Sequence, residues 1–343
     1  MNTSRLIAAF AAVGFALAAQ PALSQGKYAA EYRLSTVVGT AFPWGKSGER
    51  WGDLVRQRTN GRINIKMYPG ASLVAGDQTR EFSAIRQGVI DLAIGSTINW
   101  SPQVKQLNLF SLPFLMPDYE AIDALTQGEV GREIFGIIDK LGVVPLAWGE
   151  NGFREVTNSK RELHKPEDFK GLKFRVVGSP LFLDTFSALG ANPTQMSWAD
   201  AQPALASGAV DGQENPLTIF TAAKLHTVGQ KNVTLWGYVA DPLIFVVSKR
   251  VWDSWSKEDQ KIVRDAALEA GKYCIELARE GMTGATPAVH KTIEGFGVKI
   301  VRLSPEERAA FQKVTRPVYE KWSKQIGPDL VKKAEGSVAA RKK

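Results

Sequence analysis

The sequence predicts an α/β protein built as two lobes of similar design rather than around one large sheet. Three observations carry this. Strand-like and helical patterns alternate along the chain. The alternation occurs twice, and each copy holds a similar junction, Gly88-Val89-Ile90-Asp91 in the first and Gly208-Ala209-Val210-Asp211 in the second. At both, glycine can end a helix in a left-handed conformation and pass the chain straight into a strand. The 343 residues also exceed what a single hydrophobic core usually organises.

The first lobe opens with a strand over 32–37. Trp51, Leu54 and Val55 keep helical spacing within 46–58, the turn Thr59-Asn60-Gly61 follows, and 63–67 reads as the next strand. A helix over 79–87, closed by Gly88, precedes a strand at 91–95. A helix over 119–141 then leads to a strand at 143–148. The second lobe repeats the unit with a strand at 172–177, a helix at 181–189, an extended piece at 193–196 and a helix at 198–207 closed by Gly208. A strand at 243–247 crosses back to the first lobe.

Ile262, Ala266, Ala270, Cys274, Leu277 and Ala278 keep helical spacing through 257–292, where the first proline is Pro287. A helix of that length can span both lobes as a spine, and Gly271, Gly281 and Gly284 permit a bend. Ser304-Pro305-Glu306-Glu307 starts another helix, with a cap at Ser304 and proline in the first turn. Helices continue to about 334, and the basic end with Arg341, Lys342 and Lys343 reads as frayed and solvated. The pattern divides the chain into lobe I (25–151 and 239–278), lobe II (152–238 and 279–335) and a basic tail (336–343).

The N-terminus reads as an export leader. Arg5 is followed by an apolar run over 6–19, and small residues at Ala22 and Ser24 fit a cut after Ser24. The run is short for a membrane span, so a signal peptide at 1–24 and an unanchored, exported chain of 319 residues (343 − 24) are expected. One cysteine, Cys274, excludes an internal disulfide and reads as a buried thiol. His164, His226 and His290 are too scattered for metal-ligand spacing. The net charge of +8 comes from basic residues interleaved with acids, which gives no nucleic-acid footprint but would gather anionic ligands.

The chemistry concentrates in GLKFRVVGSP at 171–180 and VDGQENP at 210–216. Arg175 stands in an otherwise apolar strand, where a charge is costly unless it meets a partner. Its planar fork suits a carboxylate. Two readings fit: a protein that closes around a small organic anion, and a structural pair between Arg175 and an Asp or Glu. The strand ends at Gly178-Ser179-Pro180, and ligands of α/β lobes bind beside strand carboxyl ends. Arg154 lies where the first lobe hands over to the second, as a ligand contact or as a surface arginine on a hinge. The Asn215 amide both donates and accepts, and Pro216 restricts its backbone. Glu214 and Asp211 would orient Arg175 from behind. Trp198, Phe42, Trp44, Trp148, Trp236 and Tyr238 supply candidate pocket walls, although each also fits a core position. Ser96, Ser101 and Ser179 have no histidine placed to activate them, and neither a nucleophile elbow nor a phosphate loop occurs. The residues point to capture and release rather than to an enzyme, with no cofactor.

Over essentially the whole mature chain the sequence resembles the periplasmic solute-binding component of the tripartite ATP-independent periplasmic (TRAP) transporters, the dicarboxylate-binding-protein (DctP-like) type. The resemblance is carried by TNGR at 59–62, LPF at 112–114, GLKFR at 171–175, Ala204-Leu205, Gly208 and VDGQENP at 210–216. It implies a monomeric periplasmic binding protein of the type II kind. Such a receptor closes on an organic acid and delivers it to a sodium-coupled permease of small and large subunits. It further implies that Arg175 pairs with the ligand carboxylate and that Asn215 contacts the same group. Trp198 would line the pocket, Arg154 would be a second arginine near the ligand, and Ser96 and Thr97 would lie on a first-lobe loop facing the cleft. Leu235-Trp236-Gly237-Tyr238 departs from the polar or histidine pattern common near Gly237, which argues against sialic-acid or sugar-acid specificity. Trp236 or Tyr238 would fill that space. The ligand class is then a C4-dicarboxylate, a keto or hydroxy acid, or an aromatic carboxylate. Three other readings stand beside it: an exported enzyme acting on a small acid, a receptor for an ATP-driven importer, and a sensor-associated receptor. The GQENP segment argues against the importer.

Overall fold

A computed structural model describes residues 28–284 and 287–341, and the expected leader at 1–24 lies outside them. The first half of the chain forms β1 (Tyr32–Ser35), α1 (Pro43–Arg58), β2 (Ile65–Tyr68), α2 (Glu81–Arg86), β3 (Leu92–Ser96), α3 (Thr97–Trp100), α4 (Tyr119–Thr126), α5 (Glu129–Lys140) and β4 (Val143–Asn158). The second half begins with β5 (Lys173–Val176), α6 (Pro180–Ala188), β6 (Asn192–Gln195), α7 (Trp198–Ala206), β7 (Gly212–Pro216) and α8 (Leu217–Ala222). It ends with β8 (Asn232–Ser248), α9 (Lys249–Ser254), α10 (Lys257–Arg279), α11 (Ala288–Gly295), β9 (Lys299–Arg302), α12 (Pro305–Ile326) and α13 (Pro328–Ala340). Local chemistry sets many of the helix starts. Serine side chains at 96, 197, 248, 256 and 304 accept from first-turn amides. Proline opens α1, α6, α12 and α13.

Among the described residues the strands hydrogen-bond in the order β2-β1-β3-β8-β4-β7-β5-β6, with β9 added beside β8. This corrects the expectation of separate sheets. The short apolar runs read at 143–148 and 243–247 are the ends of the long strands β4 and β8, which pair antiparallel and pass through both lobes. Beyond Trp148 strand β4 carries Glu150, Asn151, Arg154 and Glu155, all buried. Their partners come from far along the chain, so the segment does not look like a strand. Register shifts interrupt the pair at Pro145/Ala147, Glu150/Gly152 and Arg154/Val156, the kind of irregularity that locally bends a strand. Gly152 there has φ 116°, a conformation side chains rarely adopt.

Helix α10 packs along α1 and β4 and buries Val263, Ala266, Ala270 and Cys274. The helix expected to reach 292 stops at Arg279. Glu280 turns to φ −59°, ψ 123° and Gly281 to φ 68°, and the next helix begins only at Ala288. The helix expected over 119–141 divides at Gly128, the N-cap of α5. As far as Arg341 the end read as frayed is folded: α13 continues to Ala340, Val338 is buried, and Arg341 pairs with Asp118, while Lys342 and Lys343 lie outside the described residues. Helix α12 packs on α6 while α13 packs on α4 and α5, so the C-terminal pair braces elements from both halves of the chain.

Candidate functional site

Strand register brings the distant motifs together. In the β4–β7 pair, Arg154 faces Pro216 and Glu155 faces Asn215; in the parallel β5–β7 pair, Arg175 faces Gln213. Arg154, Arg175 and Asn215 thereby border one narrow cavity of about 30 Å³, open on one side to solvent. Trp44, Val37 and Val38 close it from the first half of the chain, and Trp198, Val177 and Ile219 from the second.

Arg175 is 1% exposed. Its Nε and Nη2 donate to the Met196 carbonyl at 3.1 and 2.9 Å, and its guanidinium carbon lies 5.9 Å from the Trp198 ring. Among the described residues no carboxylate lies within ion-pair distance of it, so the structural-pair reading fails. Burial lowers its pKa to about 10, with Glu214 opposing and the neighbouring Arg154 adding to the shift.

The acid expected behind Arg175 serves Arg154 instead. Glu214 takes Nε and Nη2 of Arg154, the latter at 2.9 Å, and its carbonyl takes Nη2 at 2.7 Å. Arg154 Nη1 donates to Asp241 at 3.1 Å. Burial works against the Arg154 charge, but Glu214 and Asp241 outweigh it and hold its pKa above the ordinary value. Asp211, the other acid expected near Arg175, accepts from the Lys173 amide and pairs with Lys160. Asp241 also accepts from Ser96 Oγ at 2.5 Å and Asn151 Nδ2 at 2.9 Å. Its pKa is raised, by burial first, with Arg154 opposing.

Asn215 is oriented by a buried relay. Its Nδ2 donates to Gln213, whose own Nε2 donates to Thr157, which donates in turn to Gln230. One amide hydrogen and Oδ1 are left for the cavity. Trp44 is pinned by a 2.8 Å bond from Nε1 to the Ile94 carbonyl. The Trp198 amide donates to Gln78 Oε1 at 2.9 Å, which ties the second lobe to the first beside the cavity. Ser101 and Ser179 meet across the same seam at 3.1 Å. At Gly178 a Cβ would lie 2.3 Å from Thr79 Cγ2, so the opposing surfaces approach closely enough to require glycine.

Of the residues expected to line a pocket, Arg175, Asn215, Arg154, Trp198 and Trp44 border the cavity. Glu214 and Ser96 stand behind it, holding Arg154 and Asp241. Thr97 is buried, and Phe42 packs on the first-lobe core; neither is part of the wall. Trp148 packs against Phe110 and Phe135. Trp236 and Tyr238 do not fill pocket space. They stack on each other at 3.9 Å within a cluster of Phe169, Phe186 and Phe311, and Tyr238 reaches the site only through a 3.2 Å bond to Glu214. That cluster gathers side chains from three further segments, which spacing along one strand does not show. Sequence reasoning missed Gln78, Asn99, Asn151 and Asp241, all on the cavity wall. Asn151 and Asp241 lie at the lobe crossovers, a signal that was available; nothing marks Asn99. Among the described residues no cluster of histidine, cysteine and acids could hold a metal, and no helix is long and apolar enough to cross a membrane.

Comparison with known proteins agrees with this architecture. Residues 34–325 match the family described as bacterial extracellular solute-binding protein, family 7. A TRAP periplasmic solute-binding protein from Ralstonia eutropha, solved with bound (S)-2-hydroxy-2-methyl-3-oxobutanoate, that is (S)-2-acetolactate, is 71% identical, with a TM-score of 0.91 covering 92% of this chain and 100% of that one. The 2,3-diketo-L-gulonate-binding periplasmic protein YiaO of Escherichia coli is 32% identical over 74% of this chain and 76% of its own. The C4-dicarboxylate-binding periplasmic protein DctP of Rhodobacter capsulatus is 29% identical over 90% of each chain. With the family matched over most of its length, the chain belongs to the family 7 bacterial extracellular solute-binding proteins.

Proposed function

We propose that the chain is the extracytoplasmic receptor of a TRAP transporter, and that its ligand is (S)-2-acetolactate or a close 2-hydroxy-3-keto acid. One observation carries this: a fully buried arginine, Arg175, has among the described residues only a carbonyl and an aromatic face for partners and borders a small cavity beside the Asn215 amide. A ligand carboxylate would complete the hydrogen bonding of both groups and give the Arg175 charge a direct partner. The apolar wall of Val37, Val38, Val177 and Ile219 suits methyl groups, and the amides of Gln78, Asn99 and Asn151 suit a hydroxyl and a keto oxygen. The Ralstonia relative, 71% identical, holds a ligand of this composition.

On this reading the exported chain, freed of residues 1–24, works as a monomer. Lobe I (25–151 and 239–278) and lobe II (152–238 and 279–335) rotate about the crossovers near 151–152 and 236–241. The closed form presents the acid to the small and large subunits of a membrane permease, without chemical turnover.

The test is a thermal-shift and calorimetry panel of (S)-2-acetolactate, 2-hydroxyisobutyrate, pyruvate, gluconate and a neutral sugar, with the ligand recovered afterwards. A ligand at a hundred times its Kd should stabilise the fold by about 2.7 kcal/mol. Acetolactate should give the largest shift and be recovered unchanged. A panel in which only the neutral sugar binds overturns the assignment, and conversion of the bound acid would make the protein an enzyme.

A further inference from the structure

We infer that this cavity admits a single ligand carboxylate and that Asp241 is the residue that turns away a second; the inference rests on the organic-acid reading above and narrows it. Among the described residues the charged groups at the site are Arg175, Arg154, Asp241 and, behind Arg154, Glu214. Arg154 and Arg175 are balanced in number by the two acids, but not in arrangement. Both acids are bound to Arg154, and neither is bound to Arg175.

Arg154 therefore cannot offer a fork to a ligand. Of the five N–H groups of a guanidinium, Nε and both hydrogens of Nη2 go to Glu214, and one hydrogen of Nη1 goes to Asp241. The one that remains suits a neutral hydroxyl or keto oxygen. A second carboxylate placed there would meet the Asp241 carboxylate, which faces the same cavity. Like charges brought together out of water are strongly disfavoured. Burial raises the Asp241 pKa, with Arg154 opposing. A dianion leaves unbalanced negative charge whether or not Asp241 is protonated.

The probe pair is (S)-2-acetolactate and 2-hydroxy-2-methylmalonate. The second replaces the acetyl group by a carboxylate of nearly the same shape, so charge changes with little change in volume. Calorimetry near neutral pH on the mature chain is expected to show the malonate bound at least about thirtyfold more weakly. Asp241→Asn, shown to be folded by circular dichroism, should shift the ratio of the two affinities toward the malonate by about tenfold or more. Equal binding of the two acids to the unaltered chain overturns the inference while leaving the receptor reading intact. So does a folded Asp241→Asn with an unchanged ratio. Should the variant not fold, the unaltered chain decides alone. A dicarboxylate that binds where no monocarboxylate does overturns the inference alone; failure of every mono- and dicarboxylate to bind refutes the receptor reading, and the inference falls with it.

Discussion

Replacing Arg175 by methionine is expected to move stability and binding in opposite directions. The guanidinium is fully buried, and it exchanges its water for one carbonyl and one aromatic face. Burial takes its pKa from 12.5 to about 10, which corresponds to on the order of 3 kcal/mol carried by the folded protein. Methionine keeps the apolar stem and removes the charge, but it leaves the Met196 carbonyl without its donors, a cost of about 1–2 kcal/mol. The unliganded variant should therefore equal the parent or exceed it by about 1–2 kcal/mol, an upward Tm shift of no more than about 4 °C. Binding should behave otherwise. A ligand carboxylate left without its cation in the cavity loses on the order of 2–5 kcal/mol, about 30- to 4000-fold in affinity. Thermal melts without ligand and calorimetry with it measure the two halves separately. A variant destabilised by more than about 2 kcal/mol, yet binding within about threefold of the parent, would show that Arg175 supports the fold and does not hold a ligand.

Glu81 and Glu155 are each pushed up to about 7 by burial, from an ordinary value of 4.5, against hydrogen bonds from Ser35 to Glu81 and from the Trp236 and Gly237 amides to Glu155. Between those values the folded state holds protons that the unfolded state has lost, so stability present below about 4.5 declines as pH rises through about 7. Melting temperature should fall from about pH 5 to about pH 8, and Glu81→Gln or Glu155→Gln should flatten the profile; a profile unchanged in both variants refutes the assignment. Gly178→Ala places a Cβ against Thr79 Cγ2 and should hold the lobes apart, with ligand affinity reduced about tenfold and a larger radius of gyration at saturating ligand by small-angle scattering. Adding Thr79→Ser, which removes that methyl, should restore both. Cys274 is buried, with its thiol pushed up to about 11, so a thiol reagent near neutral pH should label it only after denaturant unfolds the chain.

Much of the fold was legible because it is locally written. Serine and proline mark several helix starts, and the two Gly-x-x-Asp junctions do lead into β3 and β7. Arg175 was legible for a different reason: a charge in an apolar strand demands an explanation wherever the strand lies. What was not legible depends on distant partners. Residues 150–158 look like a loop because they are polar, and they form a strand because Glu214, Asp241 and Arg279 satisfy them from remote parts of the chain. The same holds for Trp236 and Tyr238, whose aromatic neighbours come from 169, 186 and 311. The helix over 257–292 was drawn too long because apolar spacing outlasts the backbone that supports it. Gly281, noted as a possible bend, is part of the break.

The continuity of β4 with β8 has a practical consequence. Two adjacent strands joined by hydrogen bonds resist sliding and splaying, while their bulges leave them free to twist and bend in one place. On the proposed reading, relative motion of the halves would thereby be reduced to nearly one coordinate, and a single distance would report it. A donor dye on exposed Gln57 of α1 and an acceptor on exposed Lys170 of the second half would turn that coordinate into a ratio of two colours. Occupancy of the receptor could then be followed optically, with neither dye on a residue that borders the cavity.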